Sequence, residues 1–515
     1  MVYKVFSGRV GGIFADLITV EVDASTGLPG LEMIGLLGSE VKEAKDRVRV
    51  SLRNNGINLP AMRITVNLSP ADEHKEGALF DLPIAVALLC LFGHINSFPF
   101  EDTLLIGELS LDGKVMPVRG ILPIVKMARN QGFKRVVLPM DNAEEGALIK
   151  GIDIYPVESL SETISVCASF EFPEEFGIKA YKSKKDISLE YDTSKIPDFS
   201  DVVGQDGVIR AAAIAASGFH HFLMTGPPGT GKSLIARRIP GIMPELSYEE
   251  CLEISTIYSV AGKLDSKVPF VKSRPFWSPH HGASAQAIVG GGPMARPGLV
   301  SLSHRGILFL DEMTEFKKET LDMLRQPLED GNITVSRAKT TLSYPAGFML
   351  VGAMNPCPCG FFPDRNRCTC SAVQISRYLS RISGPILDRI DICAEVSRID
   401  PRDFALTNTA GTYSSEYLRE RVKQAVEVQS RRYRDEDFKF NSQIPSGLMN
   451  KYIPLGHEEN DFINAAYESM NLSMRSFFKI IKVARTIADF DGDKDVGVKH
   501  LAEASCYRFP EYIKG

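Results

Sequence analysis

Long apolar runs are missing from this chain of 515 residues. The longest, "PIAVALLCLFG" (Pro83–Gly93), falls far short of the ~20 residues that cross a bilayer. The opening "MVYKVFSGRVGG" has no apolar signal core. A cytoplasmic protein with no membrane partner is therefore expected. A disulfide framework is missing as well: the nine cysteines are odd in number, five scattered and four clustered, which fits reduced thiols and one special cluster. There are no biased repeats or low-complexity tracts. Nor is there an excess of positive charge. With 59 Lys+Arg against 64 Asp+Glu the formal net charge is −5, so nothing attracts nucleic acid globally and any such binding must use local basic loops.

What is present is the composition of a soluble globular protein, 44% hydrophobic and 24% charged. At roughly 100–200 residues per domain the chain should hold about three. The stretch "FEFPEEFGIKAYKSKKDISLEYDTSKIPDF" (Phe170–Phe199) is charged, rich in turn formers and without sustained periodicity, and residues 171–200 are read as a linker. Before it, in residues 1–170, short β-rich runs such as "RITVNL" and "RVVLPM" alternate with helix-like ones, giving an α/β or α+β domain. After it, "HFLMTG" and "GILFLDE" read as buried parallel strands followed by helical sequence, so a doubly wound sheet is expected over residues 201–396. Within residues 397–515 the pattern turns wholly helical from about Glu416, as in "RSFFKIIKVARTIADF".

The run Gly226, Pro227, Pro228, Gly229, Thr230, Gly231, Lys232, Ser233 satisfies G-x-x-x-x-G-K-[ST] between an apolar strand and a helix, both contexts that a phosphate-binding loop requires. Glycines let successive N–H groups wrap a β-phosphate, and the helix N-terminus adds partial positive charge. Lys232 should reach the β- and γ-phosphates of ATP, and Ser233 should bind Mg²⁺. "ILFLDE" supplies the partner carboxylates: Asp311 for the Mg²⁺ shell, Glu312 to polarise the attacking water. A helix cap at a strand end is the bland alternative. "FMLVGAMNP" is another buried strand, whose Asn355 is placed to orient that water, although Asn before Pro is also an ordinary turn signal.

With "VVGQ" (Val202–Gln205), "RPFWSPHHGASAQAIVGGG", "LRQPLEDG", "AMNPCPCG" and "RISGPILDRIDI", these motifs resemble the Mg-chelatase-like AAA+ ATPases of the YifB/ComM type, over essentially the whole chain. The resemblance implies an α/β multidomain fold: a Lon-protease-like α+β domain, an AAA+ P-loop doubly wound core and a C-terminal α-helical lid. It places Val203 beside the adenine. It implies that Arg389 is an arginine finger presented in trans and that Arg475 is a second sensor reading the nucleotide in cis. Left to the residues alone, Arg389 could equally pair with Asp388 or Asp391, and Arg475 could be a solvated helix arginine. A finger in trans implies a ring, most plausibly a homohexamer.

"IGELSLDGKVMPVRGILPIV" (Ile106–Val125) resembles the Lon protease domain, in which a serine and a lysine act as nucleophile and base. Leu79 falls near the serine position and Leu122 where the lysine usually follows. An alkyl chain can neither attack a carbonyl nor accept a proton, so peptidase activity is expected to be lost. Two loops bear on the substrate. The Gly-rich "SPHHGASAQAIVGGGPMARPG" carries Arg296, and "NITVSRAKTTLSYP" reads as a hairpin with Arg337 and Lys339 near its tip. The resemblance implies that both face a ring's pore, where they would contact DNA phosphates; solvated surface loops are the alternative. His280 and His281, adjacent on an extended segment, should point to opposite faces and so are not read as metal ligands.

The resemblance implies an ATP-driven DNA motor, a helicase or branch-migration enzyme of natural transformation. A metal-chelatase-type remodelling ATPase and an ATP-dependent protease are the alternatives. Four cysteines, Cys357, Cys359, Cys368 and Cys370, remain. They fit a structural Zn²⁺ clasp between Asn355 and the segment leading to Arg389, with reduced thiols or regulatory disulfides as the alternatives.

Overall fold

The computed structural model describes residues 2–96, 100–171, 178–183, 196–265, 269–292, 295–336, 341–398 and 413–509. The chain divides into two compact units, Met1–Leu189 with Tyr248–Val271, and Glu190–Ser247 with Lys272–Gly515.

The first unit is built on a seven-stranded mixed sheet. Its strands are β1 (Tyr3–Gly11), β2 (Phe14–Ser25), β3 (Gly30–Ile34), β4 (Arg63–Ser69), β5 (Thr103–Leu105), β6 (Arg135–Pro139) and β7 (Asp153–Val157), in the order β3-β4-β2-β1-β5-β6-β7. β1, β2 and β4 pair antiparallel; β3 joins β4, and β5, β6 and β7 follow β1, in parallel. Helices α1 (Ser39–Asn54), α2 (Asp81–Leu91), α3 (Ile121–Asn130) and α4 (Leu160–Glu171) cover it. α2 is buried all round from Asp81 to Cys90, as its unbroken apolar sequence requires. At its start Asp81 accepts from Arg47 Nε at 2.7 Å and from the Leu109 N–H at 3.2 Å. Burial still pushes that carboxyl up to about 6.

Two boundaries differ from the sequence reading. The helix Tyr248–Ala261, assigned to the phosphate-binding domain, belongs to the first unit. There Tyr248 donates to the Leu148 carbonyl at 2.6 Å, and Ser259 donates to the buried Glu145. The segment read as a linker is also partly anchored. Tyr181 donates its N–H to the Ile154 carbonyl and its hydroxyl to Glu144, each at 2.7 Å.

The second unit holds a five-stranded, wholly parallel sheet: β8 (Phe222–Thr225), β9 (Phe276–Trp277), β10 (Ile307–Leu310), β11 (Met349–Met354) and β12 (Ile392–Glu395), in the order β9-β10-β11-β8-β12. β8, β10 and β11 are buried along their whole length, which is why they read as continuous apolar runs. In one core cluster with the sheet are α5 (Asp206–Gly218), α6 (Lys232–Ala236), α8 (Ser415–Arg432), α9 (His457–Ser469), α10 (Met474–Asp491) and α11 (Val498–Cys506), and the unit also holds α7 (Ala372–Leu379). No helix among the described residues is long and apolar enough to cross a membrane.

Candidate nucleotide site

β8 lies between β11 and β12, so the loop after Thr225 opens at the carboxyl end of the sheet beside the ends of β10 and β11. That is where ligands of open parallel sheets bind. The loop is tightly constrained. A Cβ on Gly226 would sit 2.2 Å from the Val396 carbonyl oxygen, and Gly231 has φ 90°, so neither position accepts an ordinary side chain. Lys232 opens α6. Its Nζ donates to the carbonyls of Gly226 and Pro227, each at 2.7 Å, and to Asn355 Oδ1 at 3.2 Å. Burial lowers its pKa to about 8, against the opposing pull of Asp311 and Glu312.

Ser233 donates to Asp311 Oδ2 at 2.6 Å. Neighbouring ligands on an octahedral Mg²⁺ at ~2.1 Å lie ~3 Å apart, so this pair fits the ion after parting by a few tenths of an ångström. Glu312 has φ 49°, a left-handed backbone rare outside glycine, and strain of this kind gathers at functional positions. Its carboxylate lies 3.7 Å from His281 Nδ1. The cleft holding these groups measures about 400 Å³ and is lined by the loop, Asp311, Glu312 and Asn355. A second cleft of about 670 Å³ meets it at Glu312 and Asn355 and is lined beyond them by Glu315, Arg377 and Arg381.

The other residues singled out in the sequence fall elsewhere. Val203, in the segment before α5, does not line the cleft. Neither do Arg389 and Arg475. Arg389 donates to the Pro385 carbonyl at 2.7 Å and pairs with Glu329, rather than with its neighbours Asp388 or Asp391. Arg475 approaches the same Glu329 carboxylate at 3.6 Å. Asp391 is engaged instead by Lys479 at 3.2 Å and by the N–H of His221 at 3.1 Å. Arg296 stands exposed in the short strand Arg296–Pro297, which pairs with Gly290–Gly291. The hairpin is present as Asn332–Ser336 with Thr341–Pro345; Arg337 and Lys339 lie outside the described residues. Its base meets the Gly-rich loop, Tyr344 donating to the Ala295 carbonyl at 2.8 Å. His280 and His281 do not diverge as an extended segment would require. The chain turns there and the rings lie 4.0 Å apart.

The four cysteines converge, with all Sγ atoms within 4.8 Å of one another. Three of the separations are 3.3, 3.8 and 3.6 Å. Tetrahedral thiolates on Zn²⁺ at ~2.3 Å stand ~3.8 Å apart, so the donor set fits that ion. The loop also abuts the Gly226–Ser233 run. A Cβ on Gly360 would come within 2.5 Å of Pro228 Cδ. Sequence reasoning missed that contact, the His281–Glu312 approach and Glu329. Glu329 lies in the quoted motif "LRQPLEDG", which was the available signal.

Three family models match the chain: "Magnesium chelatase, subunit ChlI" over residues 198–404, "Subunit ChlI of Mg-chelatase" over 20–142 and "Magnesium chelatase, subunit ChlI C-terminal" over 412–508. Competence protein ComM of Haemophilus influenzae is 38% identical over 506 residues, 98% of this chain and 97% of its own length. The uncharacterized protein YifB of Escherichia coli is 41% identical over 498 residues, 96% of this chain and 95% of its own. Lon protease 2 of Bacillus subtilis is 27% identical over 175 residues, 32% of this chain and 31% of its own.

Proposed function

Because the chain belongs to the magnesium-chelatase ChlI family, in the group that includes ComM and YifB, we propose that it is an ATP-hydrolysing AAA+ ring motor acting on DNA, as a helicase or branch-migration enzyme in natural transformation or recombination. The observation that carries hydrolysis is the cleft where Lys232, the Ser233–Asp311 pair, Glu312 and Asn355 converge. The loop N–H groups and Lys232 hold the β- and γ-phosphates. Ser233 and Asp311 would hold Mg²⁺, which would supply positive charge beside the transferring phosphate. Glu312 takes the proton of the attacking water while Asn355 orients it, leaving ADP and phosphate.

Arg389 completes the site of a neighbouring copy, so hydrolysis needs the assembled ring, a homohexamer; Arg475 reads the nucleotide in cis. Arg296, Arg337 and Lys339 contact DNA phosphates, single-stranded or branched. The support is the competence named for the Haemophilus relative, together with the hydrogen bond that joins the two loops at Tyr344 and Ala295. The first unit acts as a Lon-protease-like scaffold without the Ser-Lys dyad. The match to Lon protease 2 supports that reading, as do two alkyl side chains, Leu79 and Leu122, at the dyad positions. Residues 397–515 form the lid. Cys357, Cys359, Cys368 and Cys370 hold a structural Zn²⁺.

A second reading, a metal-chelatase-type remodelling ATPase, is favoured by the name of the matching family. The discriminating experiment measures ATPase rate with forked or single-stranded DNA, with porphyrin-pathway partners and with unfolded protein. DNA stimulation accompanied by strand displacement is expected. If no DNA stimulates hydrolysis or is displaced by it, the DNA-motor reading falls.

A further inference from the structure

Glu329 is the one carboxylate among the described residues on which the two arginines assigned to nucleotide chemistry meet. Arg389 Nη2 pairs with its Oε2, and Arg475 Nη2 lies 3.6 Å from its Oε1. The three residues come from separate parts of the chain. Glu329 sits in the short helix Arg325–Asp330, Arg389 follows the helix Gly384–Leu387, and Arg475 is in the first turn of α10.

The arrangement is braced from both sides. Arg325, on the same helix as Glu329, donates to Asp322 at 2.7 Å and to Ser383 at 3.1 Å, and Ser383 immediately precedes the short helix that leads to Arg389. From the other side, Lys479 on α10 reaches the Ile390 carbonyl at 2.8 Å and Asp391 at 3.2 Å. With the backbone braced, the contact left to change is the one between the carboxylate and the guanidinium groups.

Two facts give that contact a direction. The Arg389 side chain is only 10% exposed, tucked between the Pro385 carbonyl and Glu329. A finger serving a neighbouring copy must reach out of its own protomer with its charge available, so the structure shows it withdrawn and neutralised. Glu329 also lies three residues before Asn332, where the hairpin begins, and the helix and hairpin are joined through Gly331 at φ 65°. A load on the hairpin is thus delivered to the helix that carries Glu329.

We propose that Glu329 is a positioning residue that restrains Arg389 and Arg475 in the unloaded protein and releases them when DNA engages the hairpin. Glu329 is half exposed, and a half-exposed ion pair holds weakly, so a bound phosphate competes with it readily. The inference rests on the reading of Arg389 as a finger and of the hairpin as a DNA contact. Glu329 would be the element through which DNA state reaches the hydrolysis step.

The test compares the full-length wild type with E329Q, E329D, R389A and E329Q/R389A. Turnover per protomer is measured at matched protein concentration, with and without a forked oligonucleotide, and thermal melting checks folding. E329Q removes the charge at constant shape; E329D keeps it one methylene shorter. E329Q should hydrolyse ATP without DNA about fivefold faster than wild type, the low end of typical couplings between sites, and gain little more from the fork. E329D should move the same way by less. E329Q/R389A should fall to the R389A rate, because the gain passes through the finger. The proposal is overturned if E329Q and E329D keep the wild-type DNA-free rate and fork stimulation, if they run slower, or if the gain survives loss of Arg389. Should R389A alone turn over at the wild-type rate, the finger assignment fails as well; an inactive R389A with unaltered E329Q refutes the role of Glu329 alone.

Discussion

Nucleotide binding should be accompanied by proton uptake at Lys232. In the free protein its ammonium is buried and donates to two loop carbonyls and Asn355, and burial lowers its pKa to about 8 even with Asp311 and Glu312 nearby. At pH 8 about half of the molecules carry a neutral Lys232, and at pH 7 about a tenth. Bound β- and γ-phosphates favour the charged form and raise the pKa well above this value. Binding at pH 8 should therefore take up about half a proton and at pH 7 about a tenth, while a phosphate monoester that titrates near about 6 contributes little at pH 8. Affinity should weaken as pH rises, by about tenfold between pH 7 and pH 9, or about 1.4 kcal/mol, with most of the loss past pH 8. Calorimetry of Mg²⁺–ADP binding in buffers of differing ionisation enthalpy reads the proton count directly. In K232R the guanidinium stays charged, and the uptake should vanish whatever the affinity. An uptake below about 0.1 proton at pH 8, with affinity flat from pH 7 to pH 9, would refute the placement of Lys232 as a buried, partly neutral amine.

Three further outcomes follow from the same geometry. E312Q should retain nucleotide while turnover falls by about 10²–10⁴, the usual worth of a general base; phosphate release and fluorescent-nucleotide binding read the two separately. Elemental analysis should find about one zinc per protomer, absent in C357S. That variant should also melt lower and bind nucleotide more weakly, because Gly360 of the same loop packs on Pro228; zinc-free wild type with unchanged melting would leave the cluster without a structural role. D391N should cost about 3–5 kcal/mol, as when one partner of a buried pair is removed, measured by urea unfolding. Burial opposes ionisation of Asp391, but Lys479 and His220 hold its carboxyl far below the usual range. The depressed pKa means this stability is present above pH about 4 and lost as pH falls below it; D391N should lack that acid dependence.

The convergence of Lys232, Ser233, Asp311 and Asn355 was legible because its signals are local. A buried parallel strand is a short apolar run, and β8, β10 and β11 are each followed directly by a residue singled out in the sequence: Gly226, Asp311 and Asn355. The backbone must turn at the end of a strand, so glycine spacing and terminal carboxylates report the site directly. The cysteine cluster was legible for a similar reason, its two pairs lying within one loop. The helix Tyr248–Ala261 was not. Its sequence says helix, yet nothing in a periodicity names the surface that will cover its apolar residues, and that surface belongs to the first unit, far upstream in the chain. The anchored stretch around Tyr181 was missed on the same ground, since its charged composition reads as a solvated connection until Ile154 and Glu144 are brought beside it.

Partner choice among charges was the least legible feature, and the reason is geometric. Arg389 has an aspartate on either side, at Asp388 and Asp391, and sequence proximity favours both. Yet Asp391 is turned inward, where the His221 N–H and Lys479 claim it, and the guanidinium is left facing a residue sixty positions upstream. Pairing with an adjacent carboxylate would have left Arg389 indifferent to the rest of the fold. Pairing with Glu329 ties it to the helix that carries the hairpin, and the approach of Arg475 to the same carboxylate ties in α10. A single negative charge facing two positive ones cannot neutralise both, so any second anion brought near, such as a nucleotide phosphate, competes for whichever arginine is freer. Arg475, 44% exposed against 10% for Arg389, is the one to yield first.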